Sequence, residues 1–229
     1  MILKVRAIYR AVFENRVVSK LLRVMPGLPE LTMLGKAYYH EQQEVNGKKH
    51  WDVVIIDAPA TGHGMFLLQI PQVVTSALNS GRMANEAQRM LDLLEDKERT
   101  CVNLITLAED MPVNETIELR KQIAAEFDIR IGAIIANAVL PRQLEAGDAD
   151  IVSAMLGQHG TEADDLGSLM SAALFRDRRC DLQERYLRKL RRELDAPIVE
   201  VPFFFDTVID RSVIERMGVS LAEGLGGVE

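Results

Sequence analysis

A chain of 229 residues, 48% hydrophobic and 27% charged, can bury one sizeable core or two small ones, and one domain with helical elaborations is the simplest organisation. Its formal charge of -7 and pI near 5.3 argue against a general nucleic-acid surface, which needs clustered Lys and Arg to neutralise phosphates. Cys101 and Cys180 lie too far apart in sequence and setting to suggest a disulfide framework, and no apolar run approaches the roughly 20 residues that span a bilayer. Together these features point to a soluble chain in a reducing cytoplasm.

Val5, Ile8, Val12, Val17, Leu21 and Val24 recur at helical spacing, with Lys4, Arg6, Arg10, Arg16, Lys20 and Arg23 mostly on other faces. The pattern predicts a helix from Ile2 to Met25 that ends at Pro26-Gly27, its basic face either solvated or set against a membrane or a partner. A second helix starts near Pro29, and Asn46-Gly47 marks a turn beyond it.

The stretch Trp51 to Pro71 then carries the strongest local signal. Val53, Val54, Ile55 and Ile56 are a continuous β-branched run that predicts a parallel strand buried on both faces, and the run stops at Asp57. A strand-end carboxylate followed by Ala58-Pro59-Ala60-Thr61-Gly62-His63-Gly64 suits either a water-mediated Mg²⁺ ligand with a phosphate-responsive loop or a simple capped turn. Met65 to Ile70 reads as a short helix closed by Pro71, and Val73 to Leu94 as a further helix.

Cys101 to Leu107 predicts a second buried strand, with Cys101 a small core residue and Cys180 in a charged setting. A helix from about Val113 to Phe127 follows, with Pro112 suited to its first turn. Ile129 to Ala136 gives a third strand ending at Asn137, and Leu140-Pro141 breaks it. Beyond a Gly-punctuated region come an apolar helix near Leu166 to Phe175 and a charged helix from Arg176 to Leu194, read as a solvated face. Pro197 to Val201 is the fourth strand, and a last helix covers Ser212 to Leu225. Strands alternating with helices predict an α/β fold around a parallel sheet. Met65, Met83, Met90, Met155 and Met170 either fill cores or line a groove for an apolar client.

Several motifs in order carry a family resemblance. Asp57-Ala58-Pro59-Ala60-Thr61-Gly62-His63 resembles the switch II motif of the ArsA/GET3 family of anion-transporting and tail-anchored-protein-targeting ATPases. Glu115-Thr116 is similar to the family's Glu-Thr helix. Asn137 with Val139-Leu140-Pro141 resembles its adenine-contacting segment, and Val201-Pro202-Phe203 its late loop beside the base. The resemblance implies a P-loop NTPase type of domain over residues 1–229, with helical elaborations at about 1–45, 65–97 and 142–195. It also implies binding of ATP and Mg²⁺ at a homodimer interface, and coupling of hydrolysis to a membrane transporter or a hydrophobic client protein.

By the same analogy Asp57 holds Mg²⁺ through water and Thr61, Gly62 and His63 relay the nucleotide state, while Asn137, Pro202 and Phe203 wall the base. From the residues alone, His63 also fits a turn cap and Asn137 a strand closer.

Two departures qualify the analogy. No Gly-x-x-x-x-Gly-Lys-Ser/Thr string occurs in the 229 residues; Gly47-Lys48-Lys49 is the nearest, so the similarity is to the carboxyl-terminal two-thirds of such an ATPase. The proline of the switch motif is displaced by one place, to Pro59. Without the phosphate loop, ATP hydrolysis by this chain alone is expected to be negligible. Apolar strand edges beside Val53 to Ile56 are expected to be left for self-association or for a separate P-loop chain to complete.

Overall fold

A computed structural model of the chain describes residues 28–78, 80–159 and 165–226, so the predicted helix from Ile2 to Met25 lies outside the described residues. The chain divides into two compact units, Met1–Thr100 and Cys101–Glu229.

In the first unit, helix α1 (Leu28–Gln42) leads into a two-stranded hairpin, β1 (Glu44–Val45) and β2 (Lys48–Lys49). Asn46 and Gly47 join these strands with φ of 55° and 75°. Left-handed values at both central residues are those of a type I′ turn, which Asn-Gly tolerates and whose twist suits a tight hairpin. Helices α2 (Thr61–Ala77) and α3 (Arg82–Glu95) follow. Leu34, Met65, Leu67, Leu68, Ile70, Ala87 and Leu94 are among its buried apolar residues, and Gly35 lets α1 approach α3 where a Cβ would come within 3.3 Å of Met90 Cε.

Two expectations for this unit need correction. Pro71 does not close a helix; it sits inside α2, buried among the residues that face α1 and α3. Burial of Leu67, Leu68 and Ile70 around it offsets the one N–H bond it removes, and the break comes later, before Gly81 at φ 111°.

Residues 53–56 are not a buried strand. Val53 is 72% and Ile55 87% exposed, and among the described residues no strand pairs with them. β-Branched residues favour a pleated surface only where neighbouring strands provide the ladder and the packing.

A charge cluster ties α1 to the hairpin and to the carboxyl end of the unit. The Glu41 carboxylate accepts from Lys49 Nζ at 3.1 Å and from Arg99 Nη2 at 2.6 Å. Burial raises the Glu41 pKa, but the Arg99 and Lys49 bonds outweigh it and leave it below the ordinary glutamate value of 4.5. A depressed carboxylate pKa contributes stability that is complete above that value and is lost as the pH falls through the folded-state pKa. Glu41→Gln is therefore expected to lower stability at pH 7 by about 0.5–1 kcal/mol, a modest loss because both cations are solvent-screened. Urea unfolding from pH 7 to pH 3 should show the gap between variant and wild type closing below pH 4.5.

The second unit is a parallel three-stranded sheet in the order β3 (Cys101–Leu107), β4 (Arg130–Val139), β5 (Ile198–Pro202). Helix α4 (Asp110–Glu126) links β3 to β4. Helices α5 (Asp148–His159) and α6 (Asp165–Glu193) lie between β4 and β5, and α7 (Arg211–Gly226) follows β5. Asp210 starts α7 by accepting from the Ser212 and Val213 amides at 2.9 and 3.1 Å. The apolar and charged helices read separately at 166–175 and 176–194 are one helix, α6.

Register assigns the faces. Leu104, Ile134 and Ile198 share one row and Thr106, Ala136 and Glu200 the next; Glu200 pairs with Arg191 of α6, so this face looks toward α6. Ile105, Ile135 and Val199 form a row on the other face, where Gly224 of α7 meets Val199 so closely that a Cβ would lie 2.4 Å from its Cγ1. The strand Cys101–Leu107 is therefore buried on one face only: Leu104 and Thr106 are covered, whereas Ile105 is 70% exposed at the sheet edge.

The cysteines reverse the expectation as well. Cys101 is exposed at the start of this edge strand, and Cys180 is buried on the inward stripe of α6.

Candidate functional site

The predicted site residues fall in both units. In the first, the extended segment after Ile56 presents Asp57 to solvent, and α2 opens at Thr61. Ala60 precedes it in an extended conformation, contributes no side-chain cap, and accepts from the His63 N–H at 3.2 Å through its carbonyl. The first turn of α2 holds no acidic residue. A 17-residue helix thus begins with its backbone N–H groups and positive dipole end unmatched by a carboxylate of its own first turn. Gly62 and His63 are exposed there.

Gly64 explains how the turn stays tight. A Cβ at this position would lie 2.8 Å from the Pro59 carbonyl oxygen, a backbone atom, so the Pro59 to Gly64 approach depends on the missing side chain.

In the second unit, Asn137 and the Pro202-Phe203 segment lie together at the carboxyl ends of β4 and β5. Val139 pairs with Pro202, and the Phe203 N–H donates to Val139 O at 2.8 Å. Asn137 is half-buried, one residue before Ala138 at φ 56°. A left-handed alanine costs roughly 1 kcal/mol, so its surroundings must hold it.

Helix α6 supplies that support. Gln183, 6% exposed, accepts from the Leu140 N–H at 2.8 Å and donates to Ala138 O at 3.3 Å. Cys180 Sγ lies 3.6 Å from Leu140 O, and Arg176 Nη2 donates to Pro141 O at 2.9 Å. Arg142 continues the attachment with ion pairs to Asp177 and Asp181. Beside this seam is a cavity of about 310 Å³ lined by Val139, Leu140, Gln183, Glu184, Glu200 and Pro202, among others. Phe203 meets Phe205 edge-on at 4.7 Å, and the Arg176 guanidinium lies 4.7 Å from the Phe205 ring centroid.

The charged helix is therefore not simply a solvated face. Cys180, Gln183, Leu187 and Leu190, spaced at three and four residues, mark an inward stripe that was visible in the sequence once the arginines were set aside. Thr116 of the Glu-Thr pair is buried and its hydroxyl donates to Pro112 O at 2.8 Å, a bond within α4; Glu115 is exposed.

Among the described residues no group of three or more His, Cys, Asp or Glu could hold a metal ion, and Asp57 is the carboxylate adjoining the α2 terminus. The five methionines divide: Met65 and Met170 are core residues, Met90 is half-buried, and Met83 and Met155 are exposed. No helix among the described residues is long and apolar enough to cross a membrane.

Parallel strands joined through helices, with the singled-out residues at strand ends and a helix start, define an α/β fold of P-loop NTPase type. The chain belongs to the anion-transporting ATPase (ArsA) family, whose model matches residues 3–90 and 79–159. It is 26% identical over 213 residues to the ATPase BagA of Mycobacterium tuberculosis and equally to an ATPase of Mycobacterium bovis, covering 87% of this chain and 62% of each relative. A protein named as an arsenical pump-driving ATPase of Halobacterium salinarum is 20% identical over 186 residues, covering 78% of this chain and 25% of that one. The chain thus spans about three-fifths of the length of its mycobacterial relatives.

Proposed function

We propose that this chain forms the metal-sensing arm and the base-side wall of an ArsA/GET3-like ATPase, in which ATP binding and hydrolysis drive anion transport or client-protein targeting. The supporting observation is the placement of Asn137 beside Pro202-Phe203 at the carboxyl ends of adjacent parallel strands, where α/β sheets bind nucleotides. In this reading the Asn137 amide selects adenine by hydrogen bonding, and Pro202 and Phe203 give the base an apolar flank. Asp57 holds a water of hydrated Mg²⁺, and the Thr61-Gly62-His63 turn offers N–H groups to an anion and moves when the terminal phosphate leaves. Bound Mg²⁺–ATP supplies the phosphoryl group; the residues of this chain position and sense it.

No Gly-Lys-Ser/Thr string occurs in these 229 residues, so in this reading other residues supply the triphosphate cradle, as part of a longer chain or from a separate P-loop chain. It also supports a second reading, in which the chain is a non-catalytic nucleotide-binding or scaffold protein.

An ¹⁵N-labelled sample titrated with adenosine and guanosine to millimolar concentration tests the base wall without requiring the cradle. Adenosine should shift the amides of 137–140 and 202–203 at lower concentration than guanosine, and Asn137→Ala should reduce that preference roughly tenfold, the worth of one base-reading bond. Equal responses to both nucleosides, or a preference untouched by the substitution, would sink the assignment. ATP turnover that appears on mixing with a P-loop chain and disappears in Asp57→Ala would favour the enzyme over the scaffold.

A further inference from the structure

The β4 exit is held from one side by a single helix stripe. Arg176, Cys180 and Gln183, at i, i+4 and i+7 on α6, meet Pro141 O, Leu140 O, Leu140 N and Ala138 O in turn. Only Gln183 contacts the backbone on both sides of Val139, and one of its two bonds lands on the left-handed Ala138 that follows Asn137. A backbone in that conformation relaxes toward the right-handed or extended regions when released, and such a rotation would re-aim the residue before it. Val139 also accepts from Phe203, so the same loop sets the spacing between Asn137 and the Pro202-Phe203 segment.

We infer that Gln183 is a positioning residue for base recognition: it fixes the left-handed Ala138 and thereby the direction in which Asn137 faces a purine. The inference rests on the base-wall reading of Asn137. Its chemistry is specific to an amide, since one side-chain end must accept from Leu140 while the other donates to Ala138. Hydrocarbon of the same volume fills the space and makes neither bond.

The test uses the full chain with adenosine and guanosine as probes. Gln183→Leu, with Gln183→Met as a second variant should the first fold poorly, is compared with wild type, with Asn137→Ala and with the double variant. Leu190→Val, which removes volume from α6 away from the loop, controls for lost stability.

Loss of the bond should speed hydrogen exchange of the Leu140 amide at least tenfold and reduce the adenosine-over-guanosine preference roughly tenfold. The double variant should lose no more preference than Asn137→Ala alone, because both changes remove one recognition event. Leu190→Val should leave the preference at the wild-type value. Faster Leu140 exchange with an unchanged preference would overturn the inference and leave the base wall standing. An Asn137→Ala variant that keeps the wild-type preference would instead remove the base wall itself, and the role of Gln183 with it. Preference lost equally in Leu190→Val would assign the effect to general loosening and overturn the inference too.

Discussion

Ile134→Ala is expected to destabilise the second unit by about 3–4 kcal/mol, the largest single effect in that unit. Ile134 is fully buried in the middle strand, flanked in register by Leu104 and Ile198 on the face toward α6. Truncation removes three methyl or methylene groups from water-free packing and leaves a cavity between elements fixed on both sides, so the site cannot collapse. Ile105→Ala, one residue along the neighbouring strand but largely exposed, should cost less than about 0.5 kcal/mol.

The sole tryptophan, Trp51, belongs to the first unit, so its fluorescence is the wrong probe. Denaturant titration followed by exchange protection of β4 amides is the suitable one. A loss below 1 kcal/mol for Ile134→Ala would show that the sheet is not packed as described.

Gly64→Val is expected to cost the first unit about 2–3 kcal/mol through overpacking against backbone rather than a yielding side chain. The Cβ would sit 2.8 Å from Pro59 O, and relief requires either the Pro59 peptide or the start of α2 to move. Either movement displaces the turn that joins Asp57 to α2, so the variant should show faster exchange across 61–64 and easier proteolysis after Asp57. Gly62 provides the contrast: its Cβ meets nothing within 4 Å, and Gly62→Ala should be neutral or stabilising by a few tenths of a kcal/mol from helix propensity. Equal tolerance at 62 and 64 would refute the close approach.

Helices α1, α4 and α7 and the three paired strands were legible in the sequence because each has a partner within the described residues that rewards its pattern, whereas α5, Asp148–His159, lay in a stretch whose glycines hid its helical run. Leu104 and Ile134 became core as their periodicity indicated. Val53 to Ile56 carries an equally strong strand pattern and is exposed, since periodicity records what a segment can do and pairing decides whether it does. The same distinction separates Cys101 from Cys180: apolar neighbours placed one at a sheet edge, while the charged neighbours of the other hid the single inward stripe of α6. Asn137, Pro202 and Phe203 could be picked out by motif, and register then set their strand ends side by side. Gln183 has no motif. Its role depends on a left-handed alanine 45 residues earlier, a conformation that composition does not announce.

The crossovers of the sheet also favour an order of assembly. The chain returns from β3 to β4 through residues 108–129, but from β4 to β5 through residues 140–197, more than twice the distance. Closing the longer loop costs only about 0.6 kcal/mol more per doubling, yet that search must precede any reward from β5 and α7. The β3–α4–β4 half is therefore expected to condense first, and exchange labelling during refolding should show its amides gaining protection before those of β5 and of the seam between α6 and the Asn137 loop.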